Sequence, residues 1–154
     1  MTTNVFSRLM AGAALALAFL SSAAHAQAVS SFTVQASGTV TSPSGESVAF
    51  SGPVQVTATV VTDPAGGPPT SVVSIDARQL VATGATSGAA YVNSGQANLT
   101  RPLAATDVIQ TTFAFFPDGP GGFLKTRTAL LTLNLAYNLA TSALTSASGS
   151  ISSF

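Results

Sequence analysis

The sequence predicts an all-β fold, and three observations support that prediction. Apolar and polar residues alternate with period two over several segments, which is typical of strands with one buried face. Turn-forming runs of Pro, Gly, Ser and Asp separate these segments at short intervals. No segment after Gln27 shows convincing helical periodicity. We therefore expect a single antiparallel β-sandwich of about seven to eight strands, with a small β-barrel as the alternative.

The first residues have the features of a secretory signal peptide of the bacterial type. Leu9–Leu20 is a stretch of twelve uncharged, largely apolar residues. Ala24 and Ala26 then form the A-x-A pattern that signal peptidases accept, so we expect cleavage immediately before Gln27. A membrane anchor is the alternative, but a spanning helix needs about 20 apolar residues. The pattern therefore favours a cleaved signal.

Cleavage would leave residues 27–154 as a single all-β domain, exported to the periplasm, the cell surface or the medium. His25 is the one histidine of the sequence, and it would leave with residues 1–26, as would both methionines. The sequence contains no cysteine. The exported chain would lack the imidazole or thiol that Ser-His-Asp triads, cysteine nucleophiles and common zinc sites use. We expect no enzyme, no catalytic residue, no metal and no cofactor.

Few charges remain after cleavage. The five acids are Glu46, Asp63, Asp76, Asp107 and Asp118, and the four bases are Arg78, Arg101, Lys125 and Arg127, so the net charge is 4 − 5 = −1. Nucleic acid is not an expected partner, because it is bound through many lysine and arginine contacts to phosphate. We expect self-association or a cell-surface partner instead, and no transmembrane segment in the mature chain.

The first predicted hairpin joins two alternating segments. In Phe32–Val40, and again in Val48–Val60, the apolar residues occupy the even positions. A turn at Ser42–Gly45 separates the two segments. The even phase continues across Gly52 and Pro53, which predicts one bent strand. Because proline lacks the N–H that a ladder needs, we expect this strand to lie at a sheet edge near Pro53.

The middle of the chain alternates less regularly. Ser71–Val81 is predicted to be a third strand, and Ala89–Asn93 a short one. Ser94–Asp107 is expected to be mostly loop. Asp107–Phe116 again reads as a strand, and its consecutive phenylalanines must face both sides. We expect the core to cover both sides, with an exposed patch as the alternative.

The C-terminal segment predicts a second hairpin. Thr128–Ala140 alternates strictly, turns at Ala140–Ser142 and returns as Ala143–Phe154. Leu and Ala are also good helix formers, but a Thr and Asn polar face favours a strand.

The candidate recognition region is the polar stretch between the two hairpins. Its groups are suited to hydrogen-bonding a sugar or peptide, and the alternative is an ordinary solvated loop. The candidate contacts are Tyr91, Asn93, Gln96, Asn98 and Arg101.

Three classes of function stay open on these residues. The first is an exported, non-enzymatic structural, surface or adhesive (matrix) component, in which Phe32–Val40 could act as a donor strand for assembly. The second is an extracytoplasmic module that binds a small apolar or sugar ligand. The third is a carboxylate-dependent hydrolase, which needs two acids at a set separation. Each acid lies beside turn-forming residues, where aspartate is common for structural reasons.

Overall fold

The computed structural model describes residues 27–41, 45–63 and 65–154. Ala24, His25 and Ala26 of the predicted signal peptide lie outside the described residues, as does most of the turn predicted at Ser42–Gly45. The prediction of an all-β fold is confirmed. The described elements are β1 Gln27–Thr41, β2 Ser47–Val61, β3 Thr70–Asp76, β4 Val81–Gly84, β5 Ala90–Asn93, β6 Gln96–Pro102, β7 Thr106–Pro117, a 3-10 turn Gly122–Lys125, β8 Arg127–Asn138 and β9 Ala143–Ser153.

These strands form one mixed sheet whose pairings return to their start. The order is β1-β9-β8-β7-β5-β4-β2, and β2 pairs in turn with β1. We call these seven strands the ring. β3 pairs with the second half of β2, beyond β4, and β6 pairs with β3. We call β3 and β6 the branch.

The first hairpin forms as predicted, and β2 is one continuous strand that pairs with β1 along its whole length. β2 as a whole lies inside the sheet, but the edge expected near Pro53 is present locally. On the edge away from β1, β4 pairs with β2 up to Ser51 and β3 starts at Gln55. Pro53 lies between the stretches of β2 that pair with β4 and with β3. No strand pairs with that side of β2 at Pro53, so the missing N–H of proline costs no hydrogen bond there. Gly52, with a φ of 140°, allows the backbone to bend there.

The ring closes through a short parallel pair between β1 and β9. Ala36, Ser37 and Gly38 lie opposite Gly149, Ser150 and Ile151. This pair makes the sheet mixed, whereas the sequence predicted antiparallel pairing throughout. Period-two alternation reports which face of a strand is buried and carries no information on the direction of its neighbour. The predicted donor segment Phe32–Val40 lies in β1 and pairs with β2 of its own chain.

Inward-facing side chains form one hydrophobic core. Phe50 packs edge-to-face on Phe113 and Phe115, with ring centroids 5.7 and 5.0 Å apart. One buried polar contact crosses the core, where the hydroxyls of Ser71 on β3 and Tyr137 on β8 lie 3.1 Å apart and share a hydrogen bond. This contact ties the branch to the ring.

β6 is a strand in the segment that the sequence predicted to be mostly loop. It pairs with β3 from Asp76↔Gln96 to Thr70↔Pro102. Its inward-facing Ala97 and Leu99 pack against the core but stay only partly buried. The expectation was wrong because a strand at the end of a sheet buries too little of one face to impose clear alternation. No helix among the described residues is long and apolar enough to cross a membrane.

Candidate functional site

Two of the five predicted contact residues support the fold from inside the sheet. Asn93 is buried, its Nδ2 donates to the carbonyl oxygen of Leu80 (3.0 Å), and its Oδ1 accepts from the N–H of Gly95 (3.2 Å). Tyr91 is half-buried and packs on Phe115, with ring centroids 5.8 Å apart. Both lie on β5, the short strand predicted at Ala89–Asn93. Neither side chain is directed at an open ligand surface.

The other three predicted contact residues lie on β6. Arg101 donates from Nε to Oδ2 of Asp107 (2.8 Å), and Gln96 donates from Nε2 to Oδ2 of Asp76 (3.4 Å). Asn98 is exposed on the outer face of the strand. The five residues therefore do not line one common surface, and a convergent sugar site finds no support in their positions.

Glu46 forms the most elaborate polar cluster of the described residues. Its carboxylate accepts hydrogen bonds from the N–H of Thr86 (2.7 Å), from the N–H and Oγ of Ser87, and from the hydroxyl of Tyr91 (3.3 Å). The bond from the Ser87 N–H is the main reason why the pKa of Glu46 is lowered. A glycosidase acid needs the opposite shift, a raised pKa. The geometry is that of a carboxylate capping the turn between β4 and β5.

Three other acidic side chains also bind groups close to them in the fold. Asp76 binds Arg78 (Oδ2 to Nη2, 2.6 Å), and the hydrogen bonds from that side chain lower the pKa of Asp76 to about 2. Asp63 accepts from the N–H of Ala65 (2.8 Å) in its own turn. Asp107 binds Arg101, as described above. Within the described ranges, no group of three or more His, Cys, Asp or Glu side chains could hold a metal ion.

The interior beside Phe113 offers little room for a ligand. A cavity of about 10 Å³ lies between the start of β6 and β7, with Ile75, Ala97 and Leu131 among its lining residues. That volume holds about one water molecule. An apolar ligand between the Phe113 and Leu131 faces would need a far larger space.

Several exposed apolar residues lie on the outer face of neighbouring strands and in the 3-10 turn beside them, and we call this group the outer apolar strip. On β5, Val92 lies opposite Phe116 of β7, and the β4–β5 register places Val81 on the other side of Val92. A Cβ atom on Gly122 would lie 3.7 Å from the ring of Phe116, so the 3-10 turn packs beside that ring. The strip consists of Val81 (64% exposed), Val92 (41%), the partly buried Phe116, Phe123 (65%) and Leu124 (78%).

The expectation that the core covers both sides of the phenylalanine run is wrong at one position. Phe113 and Phe115 are buried, whereas Phe116 faces outward and is only partly covered. The sequence signal was present, since consecutive phenylalanines in a strand cannot all face the core. The Phe123–Leu124 pair inside a Pro- and Gly-rich loop is a second signal of exposed apolar residues in the sequence.

A cation lies at the end of the strip. Lys125 follows Leu124, and its side chain forms no ion pair or hydrogen bond with any described residue, whereas the side chains of Arg78, Arg101 and Arg127 each have a partner. No protein family, curated protein or solved structure matches this chain. The strip is therefore identified from geometry alone, and the arrangement is suited to contact with another surface.

Proposed function

We propose that this chain is an exported, non-enzymatic structural, surface or adhesive (matrix) component that acts by contact outside the cytoplasm. The outer apolar strip is the observation that carries the proposal. Burying a Phe or Leu side chain stabilises a contact by about 1.5–3 kcal/mol relative to leaving it in water. Phe123 and Leu124, adjacent and mostly exposed, gain that energy only when another surface covers them.

The rest of the outer face also favours contact over catalysis. Neighbouring strands present short polar side chains that bond to one another, as Ser31 does to Thr57 (3.0 Å) and Thr33 to Gln55 (3.0 Å). Four of the five acids of residues 27–154 are engaged in turns or ion pairs. Neither the predicted ligand contacts nor the cavity beside Phe113 favours the binding-module alternative.

The strip would hold the protein on the cell envelope. Phe123 and Leu124 would insert at the apolar–polar boundary of a membrane, and Lys125 would lie beside the phosphate groups of the lipids. This arrangement agrees with the expected export, because an exported chain meets the outer surface of the membrane that it has crossed.

Fractionation of cells that express the full sequence tests this function. We expect the wild-type protein in the envelope fraction with residues 1–26 removed, and the Phe123→Ser/Leu124→Ser double variant in the soluble exported fraction. Val29→Ser is the matched control, because Val29 is 63% exposed on β1 and lies outside the strip. Cytoplasmic protein that keeps residues 1–26, or a double variant that stays on the envelope, would contradict the proposal.

A further inference from the structure

Another cavity lies in the loop that joins β7 to the 3-10 turn, and we call it the loop cavity. Its volume is about 140 Å³, and residues 117–122 and Lys125 line it. The cavity beside Phe113 holds about one water molecule, whereas a drug-sized ligand needs at least about 300 Å³. The loop cavity therefore suits a small polar group that is part of a larger molecule.

Two side chains of opposite charge line the loop cavity, and both are unpaired within the part of the chain that the structure describes. Asp118 is the one acid there whose side chain forms no hydrogen bond or ion pair with a described residue, and Lys125 is the corresponding base. The two side chains do not form an ion pair with each other. A ligand that carries both a cation and an anion would give each of them a partner.

The backbone of the loop holds the cavity in one shape. The N–H of Asp118 donates to the carbonyl oxygen of Ala90 on β5 (2.9 Å), which ties the loop to the sheet. The N–H groups of Gly122 and Leu124 each close a turn within the loop, with hydrogen bonds of 3.1 Å. Two prolines in residues 117–122 fix φ at their positions. The loop is therefore preorganised, which lowers the entropy that binding a ligand would cost.

The loop cavity and the outer apolar strip share a wall. Gly122 lines the cavity, and a Cβ atom there would lie 3.7 Å from the ring of Phe116. Phe123 and Leu124 follow Gly122 directly and lead to Lys125. A molecule whose charged group occupies the cavity would therefore place its adjoining part beside exposed apolar side chains. A zwitterionic head on an apolar body is the chemistry of a phospholipid.

We propose that the loop cavity binds the phosphoethanolamine headgroup of a membrane phospholipid. The primary ammonium group of the headgroup donates to the carboxylate of Asp118, and the phosphate lies at the ammonium group of Lys125. The acyl chains then run beside Phe123 and Leu124. The inference deepens the proposed function and rests on it, because it names the lipid that the outer apolar strip meets.

The lining residues favour ethanolamine over other headgroups. A primary ammonium group has three hydrogen-bond donors, for which the carboxylate of Asp118 is a strong acceptor. A quaternary ammonium group such as that of choline is typically held by aromatic rings. No aromatic residue lines the loop cavity. A headgroup with net negative charge would be repelled by Asp118.

Vesicle cosedimentation of the full-length protein, purified from an exporting host, tests the role of Asp118. The wild type should bind vesicles of equal parts phosphatidylethanolamine and phosphatidylcholine about three- to fivefold more tightly than vesicles of phosphatidylcholine alone. Asp118→Asn keeps the shape of the side chain and removes its charge, so it should lose most of this preference. Asp63→Asn is the matched control, because it removes the same charge from another loop and should keep the preference.

Lys125→Gln tests the contact with phosphate. Both lipids carry that phosphate, so this variant should bind both kinds of vesicle about two- to fivefold more weakly and retain the preference for phosphatidylethanolamine. Circular dichroism should show the same folded state in all three variants.

Soluble headgroups separate the loop cavity from membrane contact in general. In NMR titrations, phosphoethanolamine should shift the amide signals of residues 118–125 in the wild type and in Phe123→Ser/Leu124→Ser, and phosphocholine should not. Equal binding of the wild type to both kinds of vesicle, an unchanged preference in Asp118→Asn, or no shift with phosphoethanolamine would overturn the inference. The proposed function would survive each of these results, because its own test is the loss of Phe123→Ser/Leu124→Ser from the envelope.

Discussion

The ring and the branch differ in how fully the inward-facing side chains of a strand are buried when the strand pairs on two edges and when it pairs on one. β8 has β7 on one edge and β9 on the other, and its inward-facing Leu131, Leu133 and Leu135 are at most 2% exposed. β6 has β3 on one edge only, and its inward-facing Leu99 stays partly buried. A leucine that faces the core is thus covered fully only when strands lie on both sides of its own. Five variants can break or sharpen this comparison.

The largest difference is expected between Phe115→Ala in the ring and Leu99→Ala in the branch. Phe115 is 0% exposed and packs on Phe50, so its truncation should lower the free energy of unfolding by about 3–5 kcal/mol. Leu99 is already partly in water, and its truncation should cost about 1–2 kcal/mol. Urea denaturation measures both values. Equal losses would show that the branch is packed as tightly as the ring.

Gly38→Ala acts on the closure of the ring. A Cβ atom at Gly38 would overlap the carbonyl oxygen of Ile151, on the strand that pairs with β1. We expect a loss of about 1–3 kcal/mol in the free energy of unfolding, because the two strands must move apart. Ser37→Ala is the control, since Ser37 is exposed on the same strand and its change should stay within about 0.5 kcal/mol. Equal effects of the two substitutions would mean that the β1–β9 contact contributes little.

Tyr137→Phe removes the polar contact between the ring and the branch. The hydroxyl of Ser71 would stay buried without its partner, which should cost about 1–2 kcal/mol. Combining the variant with Ser71→Ala should recover part of that loss in a double-mutant cycle. Additive losses in urea denaturation would argue against a coupled pair.

The same tyrosine predicts a dependence on alkaline pH. Burial raises the pKa of Tyr137 above its ordinary value of 10.0. The unfolded chain therefore loses this proton first, so the free energy of unfolding should fall as the pH rises above 10. Tyr137→Phe should lack this part of the decline. Denaturation midpoints on both sides of pH 10 measure it.

Asp76→Asn should have the smallest effect. The hydrogen bonds and charge of Arg78 lower the pKa of Asp76 from 3.8 to about 2. The stabilisation is therefore present above pH 3.8 and is lost as the pH falls through about 2. Because the pair is largely solvent-exposed, the loss at neutral pH should be at most about 1 kcal/mol. A wild type and variant with identical acid-unfolding curves would show that the pair contributes nothing.

Strong alternation made most of the ring predictable. The hairpins β1–β2 and β8–β9, and the burial of Ile109, Phe113 and Phe115, follow from period-two patterns that two-sided pairing enforces. The branch was harder, because β6 places Arg101 on its inward side and leaves its apolar residues half-covered. The parallel closure could not be predicted, since it depends on a contact between segments far apart in the chain.

The five predicted contact residues do not lie together, for related reasons. Polar residues such as Asn93 suggested ligand contacts, but a buried backbone also needs such groups to satisfy its own N–H and C=O. The feature that carries the proposed function is an apolar patch on the outer face. Such a patch is defined by the absence of a covering neighbour, which only the assembled sheet reveals.

The parallel pair that closes the ring also constrains when the molecule can fold. Gly38 cannot form its pair until Ile151 has been synthesised, and Ile151 emerges from the ribosome more than 100 residues later. Loops of that length make closure slow compared with the formation of local hairpins. During synthesis, the chain would pass through open forms in which β1 and β2 have paired but the ring has not. Such a delay would favour passage through a translocation channel, which requires a chain that has not yet completed its fold.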